Sequence, residues 1–253
     1  YITGKNFAFR IIVEVVTALW LLLTLYDAEY RPRFSWSLAT FGAFLGVMFI
    51  ANLQGVYLTT AFWSNFERMD GYMAILHTFM YFIVMASVLT TGKLWNQFFA
   101  TTLVAAVLLS IYAFGQKGGF IEHRYGGFRV DATLGNATYM AIYMLFHTAI
   151  AALMVVRTQS KKMRFVYAFL VALFSYLLVQ TATRGTTLAL VGGILVSMIY
   201  VAIYARQYPI VRKTALGVLL ALVVIVGTFV AVRKTEYVQN SPTLTRIANI
   251  SLS

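Results

Sequence analysis

Arginines are the residues of this chain best able to do chemistry, and they fall in segments that also carry glycine, threonine and aromatic side chains. One segment reads Phe62-Trp63-Ser64-Asn65-Phe66-Glu67-Arg68-Met69-Asp70-Gly71. It is aromatic and carries both charge signs. It is expected either to dip into a membrane interface as a short helix or to sit there as an aromatic anchor. Glu67 and Asp70 stand three apart, a spacing that can bring two carboxylates together, but Arg68 between them argues against a divalent cation. A second segment, residues 115–139, sets Gly115, Gly118, Gly119, Gly126, Gly127 and Gly135 around Lys117, Arg124 and Arg129. Glycine lets backbone N–H groups approach an anion, and a guanidinium matches two phosphate oxygens at once. The next apolar run opens near Gly135-Asn136, with Tyr139 just inside it, so the positive end of a helix dipole faces this segment. An anion site and a flexible loop of solvated cations are both open here.

The third segment is Thr181-Ala182-Thr183-Arg184-Gly185-Thr186-Thr187. It joins two apolar runs with almost no loop. An arginine at such a boundary is costly unless it is paired, faces a polar recess, or snorkels to the interface. Three arginine-bearing segments near one membrane surface suit a membrane-bound diphosphate ligand.

Those segments are positioned by the rest of the chain. Of 253 residues, 60% are hydrophobic and 11% charged. A soluble domain is nearer half apolar and a quarter charged, so lipid must cover part of this surface. About eight apolar runs are expected to be spanning helices, at 7–27, 35–53, 72–90, 95–114, 136–156, 165–182, 186–205 and 214–232. None alternates as a barrel strand does. The expected fold is an all-α polytopic transmembrane helix bundle, residues 1–253 forming a single transmembrane domain. The net charge of +12 does not make a nucleic-acid surface, because the cations punctuate apolar runs. Arg31, Arg33, Lys93, Arg157, Lys161, Lys162, Arg164, Arg206, Arg212 and Lys213 mark one set of short loops. The positive-inside rule places that set in the cytoplasm and both ends of the chain outside. A start of Tyr1-Ile2-Thr3 outside the cytoplasm, without a signal segment, is expected to follow an upstream span.

Other residues read more plainly. With no cysteine, no thiolate nucleophile or cysteine metal site exists. There is no HExxH, no Ser-His-Asp order and no phosphate-loop motif. His77 and His147 read as packing residues, while His123 stands in the arginine loop, where it can titrate near neutrality. Arg10 and Glu14, four apart, share one helix face near the outer surface, where they are expected either to pair and snorkel to the interface or to belong to a site. Gly42 with Gly46, Gly192-Gly193 and Gly217 are expected to mark close helix approaches.

Taken together, the stretch 63–71, the approach Arg129-Val130-Asp131-Ala132-Thr133-Leu134-Gly135-Asn136, and Thr183-Arg184-Gly185 resemble the O-antigen ligase family of bacterial inner-membrane proteins. That superfamily also holds O-antigen polymerases and protein O-oligosaccharyltransferases. The resemblance covers nearly the whole chain, in the same order. It implies a lipid-dependent, multi-helix glycosyltransferase of the GT-C type in the bacterial cytoplasmic membrane, with its active face outward. Such an enzyme moves a glycan from undecaprenyl diphosphate to an acceptor hydroxyl, the lipid A–core for the ligase proper, in making lipopolysaccharide or another surface polysaccharide. On this resemblance Arg184 is the catalytic arginine at the diphosphate and Arg129 a second contact. Arg124, Arg68, Lys117, Asn136 and Tyr139 complete the expected substrate-binding set. The partners are the lipid-linked donor, a lipid-linked or glycan acceptor and membrane lipids, without nucleic acid, and neither metal nor other cofactor is implied. Two departures stand out. Ala137 replaces the proline usual after Gly-Asn. The family's large outer loop, with an essential histidine and a further arginine, is matched only at its beginning by Arg233–Ser253, so the base is expected beyond this sequence and the chain alone is expected to be inactive. A transporter of an anionic or lipid-linked substrate is the alternative from another class. It would carry broken helices at mid-membrane, whereas these charges gather at one surface.

Overall fold

The computed structural model describes residues 2–65, 69–122 and 127–249. All regular secondary structure among them is helical. Among the described residues seven helices are long and apolar enough to cross a membrane, and the chain is a multi-pass, all-α membrane protein. The eighth expected run forms a shorter apolar helix of 17 residues, Tyr72–Val88, about 25 Å long at 1.5 Å per residue.

The described residues form two compact units, the first ending at Trp95 and the second beginning at Asn96. The first holds α1 (Ile2–Tyr26), α2 (Trp36–Leu53), the short α3 (Leu58–Trp63) and α4 (Tyr72–Val88). Ser35 caps α2 by accepting from Leu38 N–H. Packing here is largely aromatic. Phe41 meets Phe79 and Phe82, and Phe49, Phe62 and Tyr72 form a second group. Gly71 is required at the head of α4, because a Cβ there would lie 2.6 Å from the Phe62 carbonyl oxygen. Gly42 meets the Phe79 ring at ordinary contact distance. The other glycines expected at close approaches do not serve that way: a Cβ on Gly46, Gly192, Gly193 or Gly217 would meet open space.

The second unit is built on α5 (Gly92–Lys117, whose first residues lie in the first unit), α6 (Ala137–Arg157) and α7 (Lys161–Gln180), followed by α8 (Arg184–Tyr204), α9 (Pro209–Val232), α10 (Glu236–Gln239) and α11 (Pro242–Ala248). On α6 the buried positions Ala137, Met140, Ala141, Met144, His147, Thr148, Ala151 and Met154 recur with helical spacing and pack on Tyr167, Leu170, Phe174 and Leu177 of α7. Alanines let the backbones approach. Between helices in lipid such close packing replaces the hydrophobic drive available in water. Buried Ser110 and Thr148 hydroxyls donate to the carbonyls four residues back, so neither is stranded. By contrast α8 and α9 bury little beyond Thr186 and Ala215 and offer lipid an apolar surface nearly all round. Short connections at 158–160, 181–183 and 205–208 force α6 to α9 to run antiparallel in succession. The ends of α5 and α7 and the starts of α6 and α8 therefore meet at one edge.

Candidate functional site

That edge is where the arginines gather. Asn136 caps α6, accepting from Thr138 N–H at 2.8 Å, and Thr183 occupies the residue before α8. Between α7 and α8, Ala182 is fully buried and adopts φ +50°. A non-glycine residue held in the left-handed region costs about 1–3 kcal/mol and marks a backbone position that its surroundings enforce. The turn presents the Thr181 carbonyl and the Thr183 hydroxyl in one direction. Arg129 Nε donates to the first and its Nη2 to the second, each at 2.9 Å. Burial, and after it the charge of Arg246, pulls Arg129 below the usual arginine pKa.

Arg129 is delivered by a locked segment. Gln116, at the end of α5, donates through Nε2 to Asp131 Oδ1 at 2.7 Å and accepts from Ala132 N–H at 2.8 Å. Val130, Asp131 and Ala132 are buried as a result, with Ala132 also at positive φ, +47°. The carboxylate of Asp131 is thus spent on holding the loop.

Arg184 is the first residue of α8 and is exposed. Its Nε donates to the Arg246 carbonyl at 2.7 Å, joining α8 to α11. Lys117 donates to Gln180 Oε1 and lies 5.5 Å from the Tyr176 ring. Of the expected set, Arg129, Arg184 and Lys117 therefore bond to, or stand in, the stretch Gln180–Arg184. Asn136 stands beside the same stretch, its neighbour Ala137 offering a carbonyl to Thr183 at 3.5 Å, but its side chain is used as a helix cap. Tyr139 points outward at 61% exposure. Arg68, Arg124, His123 and Glu67 lie outside the described residues.

The first unit holds a separate polar group. Arg10 and Glu14 share a face of α1 as their spacing requires, but the expected pair does not form. Arg10 is buried, 6% exposed, instead of snorkelling; its Nη2 donates to the Met69 carbonyl at 2.6 Å beneath the Trp63 ring. Glu14 lies 3.0 Å from His77 Nε2, and the His77 Nδ1 contacts the Met73 carbonyl. Of the segment 62–71, Phe62 and Trp63 close α3, residues 66–68 lie outside the described residues, and Asp70 accepts from Ser64 Oγ at 2.6 Å.

Sequence reasoning missed Gln116, the bonds of Thr181 and Thr183 to Arg129, Arg246, and the Glu14–His77 contact. Ser241-Pro242 is a visible helix start, so α11 was legible, although what it touches was not.

These elements define a polytopic helical membrane protein with a basic cluster at one edge of its second unit. No family model, curated protein or solved structure matches the chain.

Proposed function

We propose that this protein is an O-antigen ligase-like glycosyltransferase that moves a glycan from undecaprenyl diphosphate to an acceptor hydroxyl on the outer face of the bacterial cytoplasmic membrane. The observation that carries the reading is the α7–α8 turn, where Arg129 is fixed by the Thr181 carbonyl and the Thr183 hydroxyl next to Arg184 at a helix start. In such a transfer the acceptor oxygen forms a bond to the sugar's anomeric carbon, the bond from that carbon to the diphosphate breaks, and a base takes the hydroxyl proton. Negative charge then builds on the departing diphosphate. Guanidinium groups already fixed at that place stabilise the charge without reorganising. Arg129 has its Nε and Nη2 committed to the turn, so it acts as a fixed charge. Arg184 uses Nε on the Arg246 carbonyl, which leaves its two terminal nitrogens to reach phosphate oxygens. The start of α8 adds a partial positive charge.

The test is transfer from a polyprenyl diphosphate-linked glycan in membranes carrying the full-length enzyme, outer loop included, with wild type and Arg184→Lys side by side. Lysine keeps the charge and loses the planar fork. The expected loss is on the order of a hundredfold in rate, about 3 kcal/mol of transition-state stabilisation. Near-normal transfer by the lysine variant would reduce Arg184 to an interfacial anchor. The same assay run with lipid A–core, with a protein and with growing polymer as acceptors separates the ligase from its polymerase and protein-modifying relatives.

A further inference from the structure

We propose that the edge of the second unit opposite the α7–α8 turn is a binding surface for the headgroups of anionic phospholipids in the cytoplasmic leaflet. Because α6 to α9 alternate in direction, the connections 158–160 and 205–208 both lie at that edge. Arg157 ends α6, and Lys161, Lys162 and Arg164 fill the first turn of α7. Arg206 stands in the second connection, and Arg212 and Lys213 follow in the first turns of α9. All seven are exposed. The acids of this unit are elsewhere: Glu122 and Asp131 precede α6 and Glu236 follows α9, on the stretches at the other edge. The positive-inside rule sets the acid-free edge in the cytoplasm.

Orientation alone does not require an edge of this kind. The rule counts lysine and arginine and tolerates acids; the connection after α1, which it also assigns to the cytoplasm, sets Asp27 and Glu29 beside Arg31 and Arg33. Around 158–160 and 205–208 there is no such balance, and among the described residues none of the seven cations makes an ion pair. Like charges gathered in this way repel one another, and anions settling among them remove the repulsion. Arg164 is already held for the task. Its Nη2 donates to the Thr158 carbonyl at 3.1 Å, which keeps the guanidinium at the connection with nitrogens left for a phosphate. The neighbouring side chains select the kind of anion. Val156, Phe165, Tyr204 and Ile210 are exposed among the cations. A soluble acidic partner has no use for such apolar surface beside every charge. A phospholipid carries phosphate and hydrocarbon side by side and meets both.

Native mass spectrometry of the purified full chain in neutral detergent tests this, with phosphatidylglycerol and phosphatidylcholine of matched acyl chains as probes. Phosphatidylglycerol is expected to bind at least about tenfold more tightly, and equal affinity overturns the proposal. Lys161→Gln with Lys162→Gln, and separately Arg212→Gln with Lys213→Gln, are each expected to weaken phosphatidylglycerol by about twentyfold, at about fivefold per cation near the surface, and to leave phosphatidylcholine unchanged. Arg233→Gln with Lys234→Gln removes the same charge at the other edge. If either pair weakens binding no more than this control does, the assignment to the acid-free edge fails. Equal SDS-unfolding midpoints show that a loss of binding is not a loss of fold. The wild type alone supplies a second measurement: raising ammonium acetate from about 0.05 to about 0.5 M is expected to weaken phosphatidylglycerol, and an affinity indifferent to salt overturns the electrostatic basis. Heparin serves as a soluble polyanion. A chain that binds heparin and not phosphatidylglycerol would assign this edge to a soluble macromolecule and overturn the lipid.

Discussion

Replacing Gln116 with leucine is expected to release the segment that carries Arg129. The Gln116 side chain is 2% exposed and bridges Asp131 Oδ1 and Ala132 N–H at 2.7 and 2.8 Å. Leucine nearly conserves the volume, so little of the effect is cavity. What is lost is polar. A hydrogen bond to a charged group is worth about 1.5–3 kcal/mol and a neutral one about 1 kcal/mol. Asp131, 5% exposed, is left as a buried carboxylate without that donor. The expected destabilisation is about 3 kcal/mol. Unfolding by SDS titration in mixed micelles measures it globally, and trypsin cleavage after Arg129 reports the local release. Adding Asp131→Leu removes the stranded carboxylate, so the double variant is expected to be more stable than the sum of the singles by about 1–2 kcal/mol. A loss below about 0.5 kcal/mol for Gln116→Leu, or strict additivity in the cycle, would refute the view that this bridge holds the loop.

Three further outcomes are expected. Ala182→Val forces a β-branched residue into the left-handed region and is expected to cost more than 2 kcal/mol, whereas Ala182→Gly is tolerated within about 1 kcal/mol; SDS titration of both variants checks it. Glu14→Gln keeps a polar partner for His77 Nε2 and is expected to change stability by less than about 1 kcal/mol by the same titration, and His77→Leu is likewise expected to lose about 1 kcal/mol or less from this contact, because Glu14 is exposed. A cysteine at Gln159 is expected to react with an impermeant maleimide only from the cytoplasmic side and one at Phe120 only from outside, and labelling of both from one side would break the alternation of spans.

The spans were legible because lipid imposes a coarse requirement, length and apolarity, that needs no partner to be read. The run at 72–90 shows its limit: α4 ends at Val88 and falls short of a comfortable span. Helix starts were legible where a cap announces them, as at Asn136. The arginines Arg129 and Arg184 were legible as unusual because a charge beside an apolar run is expensive wherever it points. Their partners were not. Arg129 bonds to a backbone carbonyl and a threonine 52 and 54 residues away, and a carbonyl has no signature in sequence. Arg10 and Glu14 misled for a related reason. Spacing says which residues share a face, but the neighbouring helix decides what that face meets, and here α4 brought His77. The outward glycines failed likewise, since a small residue allows close approach without requiring it.

The bonds of Arg129 also set an order of events. α5 and α6 are made and inserted before α7, so the loop bearing Arg129 is in place while the carbonyl and hydroxyl that will receive it are still unsynthesised. Gln116 is already there, one helix end away, and can clasp Asp131 and Ala132 at once. The two bonds of Gln116 need no residue beyond Ala132, whereas the socket for Arg129 is complete only once Thr181 and Thr183 have been made. Arg246 comes last, after two more crossings. A ribosome that stalls between α7 and α11 leaves a bundle with its core complete and its cationic edge unfinished.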